Sequence, residues 1–254
     1  MRRVIQKTIG RLLGALDELL FPDEVLCLCC DQALGEDARN GLCPSCARAL
    51  AHLAQKQEAR EAEDNGALPE GLDYVHAAFP YEEQARRLIR RLKYESVRVA
   101  GVPLVRQMAL LPSGEEEIIV PVPTDKGRQR KRGFNQAAVL AEQIGRELGM
   151  EVCTALTRVE SRRPQTGLSA AERRTNLAGC MAASGAVNGK RVLLVDDVYT
   201  TGATAKEAVR ALRRAGAKGV GMFAAARASA ADGETDPFDL TEKAQGDGKK
   251  RDKS

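Results

Sequence analysis

Two periodicities alternate along residues 73–228 of the chain. Short continuous apolar runs, typical of strands buried on both faces, occur at Tyr74–Tyr81, Glu117–Val122, Val152–Leu156, Arg191–Val195 and Gly219–Ala226. Segments whose apolar residues recur every three or four positions predict helices over Glu82–Tyr94, Val97–Leu111, Asn135–Leu148 and Ala203–Ala215. Two polar segments, Thr124–Gln136 and Thr157–Asn176, predict loops. The alternation predicts an α/β fold with a parallel sheet flanked by helices.

Residues 1–20 predict a separate amphipathic helix, because their apolar positions recur at helical spacing with charges between them. The basic start resembles that of a signal peptide, but charges interrupt the apolar run and no small-residue cleavage site follows. No apolar run approaches the roughly 20 residues that span a bilayer. We therefore expect a cytoplasmic protein without a transmembrane segment. Packing of this helix on its own domain is favoured over a membrane or a partner.

Composition divides the rest of the chain. Residues 21–50 are dense in cysteine and turn residues, and residues 51–72 are polar and form a connector. Residues 73–228 carry the strand–helix alternation. Residues 229–254 are charged and rich in glycine with few large apolar side chains, so we expect disorder there.

The net charge is only +4, but the positive residues are clustered. One cluster lies on the predicted helix 82–94, where the ordinary interpretation is a solvated face: Arg86, Arg87, Arg90, Arg91 and Lys93. Two others lie in the predicted loops. Such clusters favour phosphates, either on a small substrate or on nucleic acid. Aromatic residues make up 4% of the chain, which gives little support to a stacking platform for single strands.

Four cysteines form two CxxC pairs separated by 12 residues: Cys27, Cys30, Cys43 and Cys46. Each pair can hold a tetrahedral ion from one tight turn, and four thiolates make a closed structural Zn²⁺ site. A redox CxxC pair is the alternative, but it would not require a partner pair at this spacing. Cys29 is left as either a free thiol or a substitute ligand. The sequence therefore predicts a small zinc knuckle.

The strongest candidate site follows the apolar run Val192–Val195, where Asp196 and Asp197 emerge at the carboxyl edge of the sheet. Ligands bind at this edge in open α/β sheets. Adjacent carboxylates can accept hydrogen bonds from vicinal hydroxyls, as on a ribose. The next residues wrap the start of a helix and can cradle a phosphate: Thr200, Thr201, Gly202, Ala203 and Thr204. Simple capping of the helix is the alternative.

The segment VLLVDDVYTTGAT (192–204) resembles the phosphoribosyl-pyrophosphate (PRPP) motif of type I phosphoribosyltransferases. The two CxxC pairs, YEEQARRLIRRLKYE (81–95), VPVPTDKGRQRKRGFNQA (120–137) and PQTGLSAAERRTN (164–176) extend the resemblance to the ComF/GntX family. The resemblance implies a type I phosphoribosyltransferase-like domain joined to an N-terminal zinc knuckle. It also implies, for some members, a link to DNA uptake alongside a competence helicase.

The resemblance further implies roles for individual residues. Asp196 and Asp197 would be the catalytic, ribose-binding pair, and Thr200–Thr204 would hold the 5′-phosphate. Residues of the two loops would surround the pyrophosphate and the reacting centre: Arg128, Arg132, Gly133, Asn135, Gln136, Gln165 and Arg173. Mg²⁺ would bind with PRPP or a related sugar phosphate.

Three functions remain open on this evidence. The first is a Mg²⁺-dependent phosphoribosyltransferase, for which turnover is uncertain and no acceptor signature is visible. The second is a non-enzymatic sugar-phosphate sensor or scaffold in a DNA-uptake or repair assembly. The third is direct binding of single-stranded DNA through the knuckle and the basic clusters.

Overall fold

The computed structural model describes residues 25–64, 68–95, 97–159 and 180–228. The predicted helix 1–20 and the tail 229–254 lie outside these residues, as does the greater part of the loop 157–176. No helix in the described ranges is both long enough and apolar enough to cross a membrane.

A parallel sheet organises the described part of the chain. Its five strands have the spatial order β1-β7-β6-β2-β3, and all four neighbouring pairs are parallel. The strands are β1 (Tyr74–Pro80), β2 (Ile118–Pro121), β3 (Glu151–Val152), β6 (Arg191–Tyr199) and β7 (Gly219–Arg227). The predicted α/β fold with a parallel sheet is therefore confirmed.

Helices cover both faces of the sheet. The helices of the described residues are α1 (Pro44–Glu63), α2 (Glu83–Tyr94), α3 (Gly101–Met108), α4 (Lys126–Arg132), α5 (Gln136–Leu148) and α6 (Ala203–Arg214). Of these, α4 has no buried residue and covers neither face. Short 3₁₀ turns occupy Arg98–Ala100 and Gly185–Val187. One core joins α2, α3 and α5 to Leu193 and Val195, and the other joins α6 to Val192 and Leu194. Burial of alternate β6 residues in opposite cores explains its continuous apolar run.

The predicted single strand Val152–Leu156 is wrong. β3 ends at Val152, and a new strand, β4 (Leu156–Arg158), pairs antiparallel with β5 (Met181–Ala183) in a separate two-stranded sheet. Leu156 and Met181 are buried with α6, whereas Val152 packs on the opposite core. Both halves of the run are apolar because each faces a core, so hydrophobicity alone does not reveal the break.

The predicted loop Thr124–Gln136 is also wrong in part, because it contains α4. Asp125 caps this helix: its Oδ1 accepts hydrogen bonds from the backbone N–H groups of Gly127 (2.8 Å) and Arg128 (3.3 Å). Gly133 ends it with a left-handed φ of 80°. The helix contains no buried residue, so the apolar periodicity carries no signal for it.

Two predicted elements differ in length. The helix predicted over Val97–Leu111 is a 3₁₀ turn followed by α3, which ends at Met108. The strand predicted to end at Val195 continues to Tyr199, so Asp196 and Asp197 belong to β6 itself. The acidic pair therefore has strand geometry and not loop geometry.

Helix α1 connects the cysteine-rich segment to the sheet. It begins beside Cys43, whose Sγ accepts a hydrogen bond from the N–H of Cys46 at 3.5 Å. At its other end, Glu61 Oε1 accepts a hydrogen bond from the N–H of Ala77 in the edge strand β1 at 2.7 Å. The helix thus covers the edge strand β1, whose outer backbone groups would otherwise lack hydrogen-bond partners.

Candidate sugar-phosphate site

The carboxyl ends of β6 and β2 form the centre of the site, and the two strands are hydrogen-bonded neighbours. Their pairing extends past the strand end, because the N–H of Val122 donates to the carbonyl of Val195 at 2.9 Å. The acidic pair after Val195 therefore lies beside the start of the 124–136 segment. The structure brings together the two parts that the sequence placed at one edge of the sheet.

Asp196 and Asp197 project to opposite sides of the strand, because side chains alternate along β6. Asp197 turns toward α2, where its Oδ2 lies 3.1 Å from Nζ of Lys93. Asp196 lies on the other side, and its Oδ1 accepts a hydrogen bond from the N–H of Asp197 at 2.8 Å. The two carboxylates thus sit in different electrostatic surroundings.

Burial and the neighbouring charge of Asp197 raise the pKa of Asp196 to about 7, although the hydrogen bond from the Asp197 N–H and the charges of Lys93 and Arg158 oppose the shift. Arg158 belongs to β4, and its Nε donates to the carbonyl of Pro123 at 2.9 Å. This bond fastens the second sheet to the segment that follows β2. A carboxyl that releases its proton near neutral pH is a feature of functional sites more than of structural ones.

The residues after β6 form a tight turn into α6. Gly202 has a φ of 73° and is buried, and a Cβ at this position would lie 2.7 Å from the Oη of Tyr199. Thr200 and Thr201 are exposed, and Ala203 and Thr204 are partly exposed at the first turn of the helix. No side chain of the described residues caps the start of this 12-residue helix. A helix N-terminus of this kind, with threonine hydroxyls beside it, can bind a phosphate.

Tyr199 packs against this turn at Gly202. Its ring is 8% exposed and lies beneath the guanidinium of Arg227, whose Cζ is 5.4 Å from the ring centroid. Arg227 in turn pairs with Asp64 at the end of α1, with 2.6 Å between Nη2 and Oδ2. Contacts from β7 and from the end of α1 therefore fix the position of the turn between β6 and α6.

The predicted pyrophosphate residues fall into two groups. Arg128 is exposed on α4, and Gly133 ends that helix. Asn135 caps α5: its Oδ1 accepts from the N–H of Ala137 at 3.1 Å, and its Nδ2 donates to the carbonyl of Val122 at 2.9 Å. These bonds give Asn135 a structural function at the site's edge.

Arg132 and Gln136 form the second group. Gln136 is 2% exposed, and its Oε1 accepts a hydrogen bond from Nη1 of Arg132 at 3.3 Å. The same guanidinium lies over the ring of Tyr94, with Cζ 4.8 Å from the centroid. Gln165 and Arg173 lie outside the described residues.

The four predicted metal ligands converge. The Sγ atoms of Cys27, Cys30, Cys43 and Cys46 all lie within 4.8 Å of one another. The sulfurs of Cys30 and Cys43 are 3.7 Å apart, close to the roughly 3.8 Å that a tetrahedral Zn–S distance of about 2.3 Å requires. The cluster is therefore compatible with zinc in both donor chemistry and geometry. Cys29 is not one of these four sulfurs; it is 4% exposed, and its thiol contacts that of Cys46.

Backbone hydrogen bonds prepare Cys27 for ionisation. Burial opposes the thiolate, but the N–H groups of Cys43 (3.3 Å) and Cys29 (3.5 Å) donate to its Sγ and lower its pKa to about 6. The peptide groups of the knuckle are thus oriented toward a negative sulfur, as a thiolate metal ligand requires.

Comparison with known proteins agrees with this architecture. A model of the phosphoribosyl transferase domain matches residues 131–244. Competence protein F of Haemophilus influenzae is 30% identical over 211 residues, which cover 75% of this chain and 92% of that protein. The chain belongs to the ComF family of competence proteins.

Two further ComF-type relatives extend the comparison. Competence protein ComFC of Bacillus subtilis is 26% identical over 204 residues, covering 78% of this chain and 82% of its own. The DNA utilization protein YhgH of Escherichia coli K12 is 36% identical over 110 residues, covering 43% of this chain and 48% of its own. The predicted ComF membership and phosphoribosyltransferase domain are confirmed.

Lys93 is the site residue that the sequence interpretation missed. It was grouped with four arginines on a solvated helix face, yet its side chain is only 16% exposed and reaches the acidic pair. A signal existed, since Lys93 stands four residues after the fully buried Ile89 and so shares its side of the helix. The lysine occupies a position in the apolar stripe of this ComF protein, where burial requires a partner.

Proposed function

We propose that this protein binds phosphoribosyl pyrophosphate, or a closely related sugar phosphate, together with Mg²⁺. The observation that carries the proposal is the acidic pair in β6 followed by the left-handed turn at Gly202 and the start of α6. The two carboxylates can accept hydrogen bonds from the vicinal hydroxyls of a ribose. The helix N-terminus, with the exposed threonines that precede it, can bind the phosphate of the same sugar.

Different residues of the chain would bind different parts of the ligand. Asp196 and Asp197 would accept the ribose hydroxyls, and Thr200–Thr204 would bind the 5′-phosphate. Arg128, Arg132 and Gly133, with Gln165 and Arg173, would face the pyrophosphate, while Asn135 and Gln136 would hold the backbone there. Mg²⁺ would neutralise part of the pyrophosphate charge when bound, and the carboxylates present fit such an oxygen-ligated ion.

Titration calorimetry tests the binding. Zinc-loaded protein should bind PRPP in the presence of Mg²⁺, and ribose 5-phosphate more weakly because it lacks the pyrophosphate. Absence of heat with folded, zinc-loaded protein would refute the proposal. Release of pyrophosphate on addition of candidate bases or amines then separates an enzyme from a sensor.

A sensing or scaffolding function in DNA uptake is supported by the names of the relatives, which include competence and DNA utilization proteins. On this proposal the sugar-phosphate site would govern assembly with a partner such as a competence helicase. Replacing both aspartates by asparagine should abolish a DNA-uptake phenotype even where no pyrophosphate release is detected.

Direct binding of single-stranded DNA is a third candidate, favoured by the exposed basic residues of α4: Lys126, Arg128, Arg130 and Lys131. Phosphate contacts from such residues make affinity fall steeply with salt. Anisotropy of a labelled oligonucleotide should show this slope, and Arg128→Glu with Arg130→Glu should flatten it. A salt-independent affinity would exclude this candidate.

A further inference from the structure

Lys93, in the last turn of α2, reaches the acidic pair at the carboxyl end of β6. Its Nζ lies 3.1 Å from Oδ2 of Asp197, and the two side chains are 16% and 14% exposed. A charge pair this well shielded interacts more strongly than one at the surface, because water screens it less. The ion pair therefore holds the Lys93 ammonium and the Asp197 carboxylate in a defined relative position.

The backbone of Lys93 is held by the packing of α2, and its ammonium is held by Asp197. Leu88, Ile89 and Leu92 of α2 are fully buried against the sheet, so the backbone of the last helical turn has little freedom. A cation in that turn is also favoured by the helix dipole. Burial opposes the charge on Lys93, but Asp197 and Tyr81 outweigh it and raise its pKa, so the lysine stays an ammonium.

The same helix turn is tied to the zinc knuckle. Nη1 of Arg91 donates to the carbonyl of Cys27 at 3.3 Å, and Nη2 pairs with Asp31. Two residues later, Lys93 reaches the acidic pair on the sheet. Helix α2 thus contacts both the knuckle and the carboxylate of Asp197, through two residues of its last turn.

We propose that Lys93 is a positioning residue of the sugar-phosphate site, acting through Asp197. By holding one oxygen of this carboxylate, Lys93 directs the other toward the ligand and reduces repulsion between the two neighbouring aspartates. The inference rests on the proposed function, because Asp197 must contact the sugar for its orientation to matter. It assigns a binding role to a residue on α2, outside the 192–204 segment and outside the two loops.

A double-mutant cycle tests this role, with PRPP and Mg²⁺ as the titrant. Lys93→Met should weaken affinity on the order of tenfold, the effect expected of losing a hydrogen bond to a charged group. Asp197→Asn should weaken it at least as much. Because Lys93 acts through Asp197, the double variant should match Asp197→Asn within about twofold. Lys93→Arg, which keeps a cation and donors, should recover most of the affinity.

The controls separate folding from binding. Arg87→Met removes an exposed cation from the same helix and should leave affinity unchanged. Zinc content and thermal melting check each variant, and Lys93→Gln replaces the methionine variant if the latter is unfolded at the assay temperature.

Two results would overturn the inference. Wild-type affinity in Lys93→Met would show that the lysine does not matter, and additive losses in the double variant would show that Lys93 binds the ligand directly. Failure of the wild-type protein to bind at all would instead refute the proposed function, and the inference with it.

Discussion

Replacing Asp196 by asparagine should stabilise the protein in the absence of ligand. Asparagine preserves the Oδ1 atom that accepts the hydrogen bond from the N–H of Asp197, but it carries no charge. Burial and the adjacent carboxylate disfavour that charge in the folded state, which is the reason for the raised pKa of Asp196. A binding residue that costs native stability is expected at a functional site.

The magnitude follows from the pKa. A difference of one pKa unit between the folded and unfolded chain corresponds to about 1.4 kcal/mol. The rise from 3.8 to about 7 therefore sets an upper bound of about 4 kcal/mol. Partial exposure of the Asp196 side chain reduces the effect through screening by water, so we expect the variant to gain about 1–3 kcal/mol at pH 8.

The pH dependence has a definite sign. The folded state holds the Asp196 proton more tightly than the unfolded chain, so the native protein loses stability as pH rises from about 4 to about 7. The asparagine variant has no such loss. Its advantage over the wild type should be near zero at pH 4, grow through pH 6 and be complete above pH 7.

Urea unfolding followed by circular dichroism measures this difference at each pH. Comparing variant and wild type at the same pH removes the shared dependence of zinc affinity on pH. Lys93→Met should have the opposite effect, destabilising the protein at pH 8, because both aspartates then lack their nearest cation. A destabilised Asp196→Asn variant at pH 8, or an advantage independent of pH, would refute the reasoning.

Three further predictions test other parts of the account. Purified protein should contain about one equivalent of zinc, and Cys43→Ser should lose it while Cys153→Ser, outside the cluster, retains it; retention in the former would contradict a four-cysteine site. Gly202→Ala should cost about 2–4 kcal/mol in thermal or urea unfolding, because the left-handed φ of 73° and the 2.7 Å approach to Tyr199 both oppose a Cβ; unchanged stability would show that the turn relaxes freely. Tyr199→Leu should weaken PRPP binding several-fold by loosening that turn, measured by calorimetry, whereas equal affinity would mean that the ring is irrelevant to the phosphate site.

The fold could be predicted from the sequence where apolar pattern and burial coincide. The side chains of Val192–Val195 alternate between two cores, as those of a strand covered on both faces do. The apolar pattern gave wrong predictions where it does not follow burial in a single core. Helix α4 buries nothing, and the break after Val152 separates two runs that face different cores.

The candidate site shows the same division. Asp196, Asp197 and the threonines all lie within residues 196–204, so their proximity follows from the chain itself. The cysteine pairs were predictable for a similar reason, since metal spacing is local. The ion pair of Lys93 with Asp197 joins residues more than 100 positions apart, and it depends on how α2 crosses the end of the sheet. Long-range placement of this kind has no signature in periodicity.

We propose as the central claim that the acidic pair of β6 and the turn from Tyr199 into α6 bind phosphoribosyl pyrophosphate. Calorimetric titration of the zinc-loaded protein with PRPP and Mg²⁺, beside the variant carrying Asp196→Asn and Asp197→Asn, tests it most directly. We predict saturable binding near one ligand per chain in the wild type, and an affinity at least tenfold weaker in the folded double variant. Equal binding by the two proteins, or none by the wild type, would contradict the claim.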